Sequence, residues 1–262
     1  MTTGLKVLNG LDLFSGIGGI GLALSPWVRT VAYCEQDRYA QAVLVSRMRA
    51  GDIDRAPIWD DVRTLRGDML DGIDIIFGGF PCQDISVAGT GKGLEGKRSG
   101  LFFEIMRLVD EVRPAFVFLE NVPAIRTRGL NRVLYEFTAR GYDCRWTVLS
   151  AASVGAPHLR ERWFLLAHAN GKCGRYQRQV MGRCDPIVGG WKGEPKHDGD
   201  ARQSSWASKR LTQPGVDRTG DGLPHRVDRI RCLGNAVVPL QARTAFTRLL
   251  GIEAAEGLGG CQ

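Results

Sequence analysis

Apolar positions along this chain fall into two alternating patterns. Short apolar runs occur at 11–15 (LDLFS), 31–35 (VAYCE), 73–79 (IDIIFGG), 116–121 (FVFLEN) and 162–168 (RWFLLAH). Between several of them lie amphipathic stretches with helical spacing, at 37–50, 99–112 and 128–140. Alternation of this kind is what βαβ units require, because each strand needs a helix to carry the chain back. The pattern predicts an α/β domain with a doubly wound, mostly parallel sheet.

The alternation breaks between residues 169 and 224. This stretch of 56 residues holds 10 Gly and 4 Pro, about twice the usual share of roughly 12% for the two together. It is too long for a plain connection, which leaves a small irregular subdomain or a functional loop. Beyond it, LGNAVVPLQARTAFTRLL reads as a strand-like run and a closing helix. The predicted organisation is therefore a main domain over 1–168, an insertion over 169–224, and a return to the main domain over 225–262.

Composition adds little to the fold and more to the partner. The chain has 262 residues, 44% of them hydrophobic and 24% charged, an ordinary globular balance for one domain with a small appendage. The opening MTTGLKVLNG lacks the apolar run of a signal peptide, and no stretch approaches the roughly 20 apolar residues of a membrane span. A cytoplasmic protein without membrane contact is expected. Seven cysteines without a CxxC pair are expected to be free thiols. The net charge of +7 is concentrated between His168 and Cys232, where 13 Lys and Arg stand against 7 Asp and Glu. Such an excess suits a polyanion such as nucleic acid, or a solvated loop. His168, Cys173, Cys184 and His197 do not have the spacing of paired zinc ligands, so no metal is expected.

Four motifs carry candidate chemistry. DLFSGIGGIGLAL contains Gly16, Gly18 and Gly21 in the spacing of a dinucleotide-binding turn, with Glu35 placed to meet ribose hydroxyls. The turn would serve the adenosine of a nicotinamide dinucleotide and of S-adenosylmethionine equally, and tight strand-to-helix packing would also use it. In GGFPCQDIS, Cys82 follows an apolar strand on the ligand side of the predicted sheet, where a thiol can act as a nucleophile. FVFLENVP puts Glu120 and Asn121 at the same edge, where a carboxyl group could hold or donate a proton to a substrate ring nitrogen. APHLRERWFLLA places Arg160 and Arg162 two apart before a strand, so that both can point to one side and meet a phosphate or an anionic intermediate, or simply lie on an exposed surface.

Taken in order, DLFSGIGG (12–19), CEQD (34–37), WDDVRTL (59–65), GGFPCQDISVAG (78–89), RSGLFFEIMR (98–107), ENV (120–122), PHLRERWF (157–164) and LGNAVVP (233–239) resemble the DNA cytosine-5 methyltransferases, in a compact bacterial or phage form. The resemblance implies a Rossmann-like S-adenosylmethionine-dependent methyltransferase fold. It implies that Cys82 adds to cytosine C6, that Glu120 serves N3, that Arg162 and Arg160 support the base and its charge, and that Asn121 positions the loop. For the cofactor S-adenosylmethionine it implies adenine stacking on Phe14 and approach of Ser15, Gly16, Gly18 and Gly19 to the methionine part. Glu35 would take the ribose, Asp61 and Val62 the adenine edge, and Pro81, Leu101 and Asn235 would close around it. The target cytosine would be flipped out of double-stranded DNA, with the glycine-rich basic segment 86–100 as a lid and 169–224 as a target-recognition insertion. A monomer is expected, with a restriction endonuclease as candidate partner.

Two departures stand out. His158 occupies a position where many members of that family have Gln, and the insertion is short, with 211–232 standing where a family motif is missing. A dehydrogenase would explain only the glycine turn and Glu35. A non-catalytic subunit of the same fold would suit the short insertion, and an RNA cytosine methyltransferase would share the catalytic motifs.

Overall fold

The structure is a computed structural model describing residues 7–81, 100–170 and 226–251. Its elements run β1 (Leu8–Leu13), α1 (Gly19–Leu24), β2 (Val28–Cys34), α2 (Arg38–Ala50), β3 (Ile58–Trp59), β4 (Ile75–Gly79), α3 (Leu101–Val112) and β5 (Phe116–Asn121). They continue through α4 (Ile125–Arg128), α5 (Leu130–Ala139), β6 (Tyr142–Leu149) and β7 (Arg162–Ala169) to α6 (Arg226–Asn235) and α7 (Pro239–Leu250). The seven strands form one sheet in the order β3-β2-β1-β4-β5-β7-β6.

Period-two alternation explains why both faces of the sheet are covered. Ile76, Val117, Leu119, Trp163 and Leu165 face one way and pack with Phe102, Ile105 and Met106 of α3 and Phe137 of α5. Their neighbours Ile75, Phe77, Phe116, Phe118, Phe164 and Leu166 face the other way, against α1 and Ala242, Ala245, Phe246 and Leu249 of α7. Each side chain of this size, fully buried, contributes about 1.5–3 kcal/mol. Tyr33 points away from Ala32 and Cys34 and packs with Leu44 and Met48 of α2.

Local chemistry sets the helix ends. Asp37 caps α2, its Oδ1 accepting from Tyr39 N at 2.8 Å and Ala40 N at 3.0 Å. Helix α3 stops at Arg113, which takes a left-handed φ of 51° and donates its N–H to Val109 O at 2.9 Å just before Pro114. Pro239 opens α7, where its missing N–H costs no hydrogen bond.

The mostly parallel sheet is borne out: it is parallel from β3 through β5, and only β7 runs antiparallel, to both β5 and β6. Two other points differ from the sequence pattern. Strand β6, with sequence YDCRWTVL, had no counterpart among the apolar runs, because as an edge strand it exposes much of both faces. The strand-like LGNAVVP contains no strand: its first residues end α6 and Pro239 begins α7. The β-branched valines suggest a strand, but Val237 instead packs into the core with α1 and α7, against Gly19. The insertion, apart from its first two residues, lies outside the described residues, as do Cys173, Cys184 and His197. Among the described residues no helix is long and apolar enough to cross a membrane.

Candidate active site

At the carboxyl ends of β1, β2, β4 and β5 lies a cleft of about 730 Å³. The strand order reverses between β1 and β4, and open α/β sheets form their ligand crevices at such reversals. The turn after β1 builds one end. Phe14, Gly16 and Gly18 take φ values of 53°, 53° and 81°, so the backbone is left-handed at three positions within five residues. Phe14 adopts this conformation despite its side chain, held by its neighbour. Ser15 Oγ donates to Asp12 O at 2.8 Å, and Ser15 N donates to Cys34 O at 3.1 Å.

Glu35, just past β2, braces this turn from the second strand. Its Oε2 accepts the Gly16 N–H at 2.7 Å and its Oε1 the Asp37 N–H at 2.7 Å. Phe14, Ser15, Gly16, Gly19 and Glu35 all line the cleft. Gly18 does not; it caps α1, donates its N–H to Ser15 O at 2.8 Å, and sits behind the wall against Leu44. Below the turn, burial and then the nearby Glu35 push the Asp12 carboxyl well above the usual carboxylate range.

Asp61 and Val62 form the next wall, with Pro81 and Leu101 opposite and Asn235 arriving from the end of α6. Arg63 grips Asp61 and holds its carboxyl below the ordinary range, chiefly through their hydrogen bond. Asn235 is brought in by Arg160, whose Nη2 donates to Gly234 O at 2.7 Å and also to Ala236 O. Gln241, fully buried on α7, donates in turn to Arg160 O at 3.0 Å and Leu149 O at 2.8 Å. Arg231 of α6 crosses the mouth of the cleft to pair with Asp37.

The other end of the cleft is ionic. Glu120 is 9% exposed, and Arg162 Nε lies 2.7 Å from its Oε1. The antiparallel direction of β7 makes this pair: it sets the start of β7 beside the end of β5, with Glu120 opposite Phe164. A parallel β7 would put Arg162 at the far end of a six-residue strand, about 17 Å away. Period two then turns Glu120 and Arg162 to the same face. Burial raises the Glu120 carboxyl from 4.5 to about 7, and Arg162, then Arg160, pull it back only in part. Near neutral pH this group can therefore hold or release a proton. Asn121, on the opposite face, donates from Nδ2 to Phe80 O at 3.3 Å and accepts Val122 N at 2.8 Å, tying the exit of β4 to that of β5.

The structure thus brings Glu120, Asn121, Arg162 and every expected cofactor residue except Gly18 to one cleft. It separates Arg160 from Arg162: Arg160 lies before the strand with φ 27°, so alternation does not apply to it, and its guanidinium goes to the α6–α7 connection. Cys82 and segment 86–99 lie outside the described residues. Sequence reasoning missed Gly79, where a Cβ would meet Glu120 Oε2 at 2.5 Å, and Gln241 and Arg231. The signal for Gly79 was its place in the doublet before Phe80; the other two depend on contacts remote in sequence. Among the described residues, no group of three or more His, Cys, Asp or Glu is arranged to hold a metal.

The chain is 38% identical over 159 residues to the Type II methyltransferase M.CviJI of Paramecium bursaria Chlorella virus IL3A, covering 60% of this chain and 42% of that one. It is 35% identical over 173 residues to the Type II methyltransferase M.HhaI of Haemophilus parahaemolyticus, covering 64% and 50%. The chain spans about half the length of these relatives. The crystal structure of a Spodoptera frugiperda DNMT2 variant shares the fold, with a TM-score of 0.52 and 19% identity over 63% of this chain and 50% of that one. The model of the family described as C-5 cytosine-specific DNA methylase matches residues 8–182, and the chain belongs to that family.

Proposed function

We propose that this protein transfers a methyl group from S-adenosylmethionine to C5 of a cytosine flipped out of duplex DNA. The observation that carries the reading is the joining, in one cleft, of a backbone cradle with a ribose-competent carboxylate and a buried Glu120 carboxyl, paired with Arg162, that titrates near neutrality.

The cleft fits the cofactor. Phe14, Val62, Leu101 and Val237 offer apolar surface to a flat base. Glu35 keeps lone pairs for ribose hydroxyls beyond the two N–H groups it already accepts. Gly16 faces open space, with nothing within 4 Å of where a Cβ would stand, which leaves room for the methionine portion. When bound, S-adenosylmethionine supplies an electrophilic methyl group on a sulfonium.

The remaining chemistry belongs to the chain. Cytosine C5 is a weak nucleophile, so addition of the Cys82 thiolate to C6 moves electron density to C5 and N3. Glu120, protonated, donates to N3 and takes up that density, while Arg162 holds the carboxyl in place. After transfer, with S-adenosylhomocysteine as the thioether left behind, the C5 proton goes to a base, water or hydroxide, the C6–S bond breaks to restore the thiolate, and N3 returns its proton to Glu120. Asn121 fixes the exit of β4 by holding Phe80 O, one residue before Pro81.

Base-resolution mapping of 5-methylcytosine in a methylation-free host tests the reading, with the parent and Cys82→Ala side by side. The expected result is a marked sequence motif in the parent alone. Equal maps would exclude the proposed nucleophile. A parallel thermal-shift titration is expected to show stabilisation by S-adenosylmethionine and S-adenosylhomocysteine but not by NAD.

A further inference from the structure

Arg107 closes the motif RSGLFFEIMR yet has no place in the chemistry above. It sits on α3, the helix whose first residue, Leu101, lines the cleft. From there it reaches the segment between β3 and β4. Its Nη2 donates to Val62 O at 2.8 Å and to Leu65 O at 2.9 Å. Its Nε and Nη1 are held at 2.8 Å by Glu104 and Glu111 of its own helix. The second oxygen of Glu111 accepts the Gly67 N–H at 2.6 Å. Three hydrogen bonds therefore run from α3 to the backbone of residues 62–67.

That stretch is otherwise held by burial of Val62 and Leu65 in the core and by short-range bonds such as Trp59 Nε1 to Thr64 Oγ1 at 2.9 Å, none of which ties its backbone to α3. Strand β3 is two residues long, and the bonds within the stretch are those of a turn, Thr64 N and Leu65 N to Asp61 O at 3.0 and 3.2 Å. Asp61 and Val62, the cleft wall, are its first residues. A guanidinium suits the task, because its planar fork can hold two carbonyls and two carboxylates at once, which an ammonium cannot.

We infer that Arg107 is a positioning residue for the cofactor, clamping the Asp61–Val62 wall at its working distance from Leu101. The inference rests on the reading that this cleft takes S-adenosylmethionine. It predicts a selective effect: cofactor affinity depends on Arg107, while the catalytic end does not.

The test measures S-adenosylhomocysteine binding to the full chain by calorimetry, together with kcat and both KM values on duplex DNA. Arg107→Gln is expected to raise the Kd for S-adenosylhomocysteine and the KM for S-adenosylmethionine about tenfold, as expected when charge-assisted bonds that order a wall are lost. At saturating cofactor, kcat and the KM for DNA stay within about twofold. Arg107→Lys and Glu104→Gln give about threefold increases in Kd and decide the matter should Arg107→Gln fail to fold. Arg140→Gln is the structural control, because Arg140 bridges Asp110 and Glu136 and does not line the cleft; it lowers Tm and leaves Kd alone. Unchanged Kd in the folded Arg107 and Glu104 variants, or a kcat that falls with the folded fraction at constant KM, overturns the inference alone. A parent that binds neither S-adenosylmethionine nor S-adenosylhomocysteine overturns the cofactor reading and this inference with it.

Discussion

The two ends of the cleft are built by different means. At the turn after β1 the chain offers backbone: three left-handed positions, a Gly16 amide held by Glu35, and a glycine facing open space. At the end of β5 it offers side chains: a carboxyl group 9% exposed, one guanidinium at 2.7 Å, and no glycine turn. Backbone cradles bind without needing a particular protonation state. A buried ion pair does the opposite, because its charge state depends on a contest between desolvation and attraction. Affinity and chemistry should therefore be separable by mutation.

The strongest test of that separation is Glu120→Gln beside Glu35→Gln. Loss of a group that handles a proton in the transition state costs about 10²- to 10⁴-fold, so Glu120→Gln should lower kcat by about 10³-fold with the Kd for S-adenosylhomocysteine within twofold. Glu35→Gln should raise that Kd about tenfold and change kcat less than threefold. If both variants shift Kd equally, the two ends form one unit and the comparison fails.

Neighbouring glycines sharpen it further. A Cβ on Gly78 would stand 1.9 Å from the backbone oxygen of Leu13, across the β1–β4 pairing. Neither strand can yield without breaking the centre of the sheet, so Gly78→Ala should cost about 3 kcal/mol, read as a lower denaturation midpoint. On Gly79 the close contact is with the Glu120 carboxyl, at 2.5 Å, while the Glu120 backbone oxygen at 3.8 Å is an ordinary contact. Gly79→Ala should keep most of the stability and lose about 100-fold in kcat, since the carboxyl has to move away from its place beside Arg162.

The pH dependence follows from the raised Glu120 group. Its folded value of about 7 lies above the ordinary 4.5, so the stability it contributes is fully present below about 4.5 and is lost as pH rises through about 7. With the protonated form as the active one, kcat/KM for DNA should fall about tenfold per unit above pH 7. Removing the cation in Arg162→Ala should move that limb to higher pH while lowering the plateau. A limb that stays at the same pH would show that Arg162 does not act on Glu120.

Much of this architecture was legible, for a physical reason. Runs buried on both faces announce themselves, so β1, β2, β4, β5 and β7 are visible as apolar segments, and Phe14, Glu35, Pro81 and Glu120 of the cleft stand at or just past their ends. Direction was not: nothing in RWFLLAH distinguishes a parallel strand from an antiparallel one, yet that direction alone puts Arg162 beside Glu120. Period two does not reach Arg160, because the strand starts at Arg162. Arg107 shows the deeper limit. Its residue type stands in plain view at the end of RSGLFFEIMR, but its role lies in carbonyls 45 and 42 residues away, which no local pattern reports.

The smallest effect tests the backbone end by itself. Gly16 holds φ 53°, where an alanine is strained by about 1 kcal/mol, yet no atom lies within 4 Å of the Cβ it would add. Strain and steric exclusion therefore separate cleanly at this position. Gly16→Ala should lower Tm by about 2–4 °C, the shift that 1 kcal/mol produces in a domain of this size. If the open space beside Gly16 is where the methionine portion rests, the same variant should also weaken S-adenosylhomocysteine about threefold without touching kcat at saturation. A lower Tm with unchanged Kd would mean that the cofactor leaves that space empty and that the left-handed turn serves only to bring Glu35 and the Gly16 amide together.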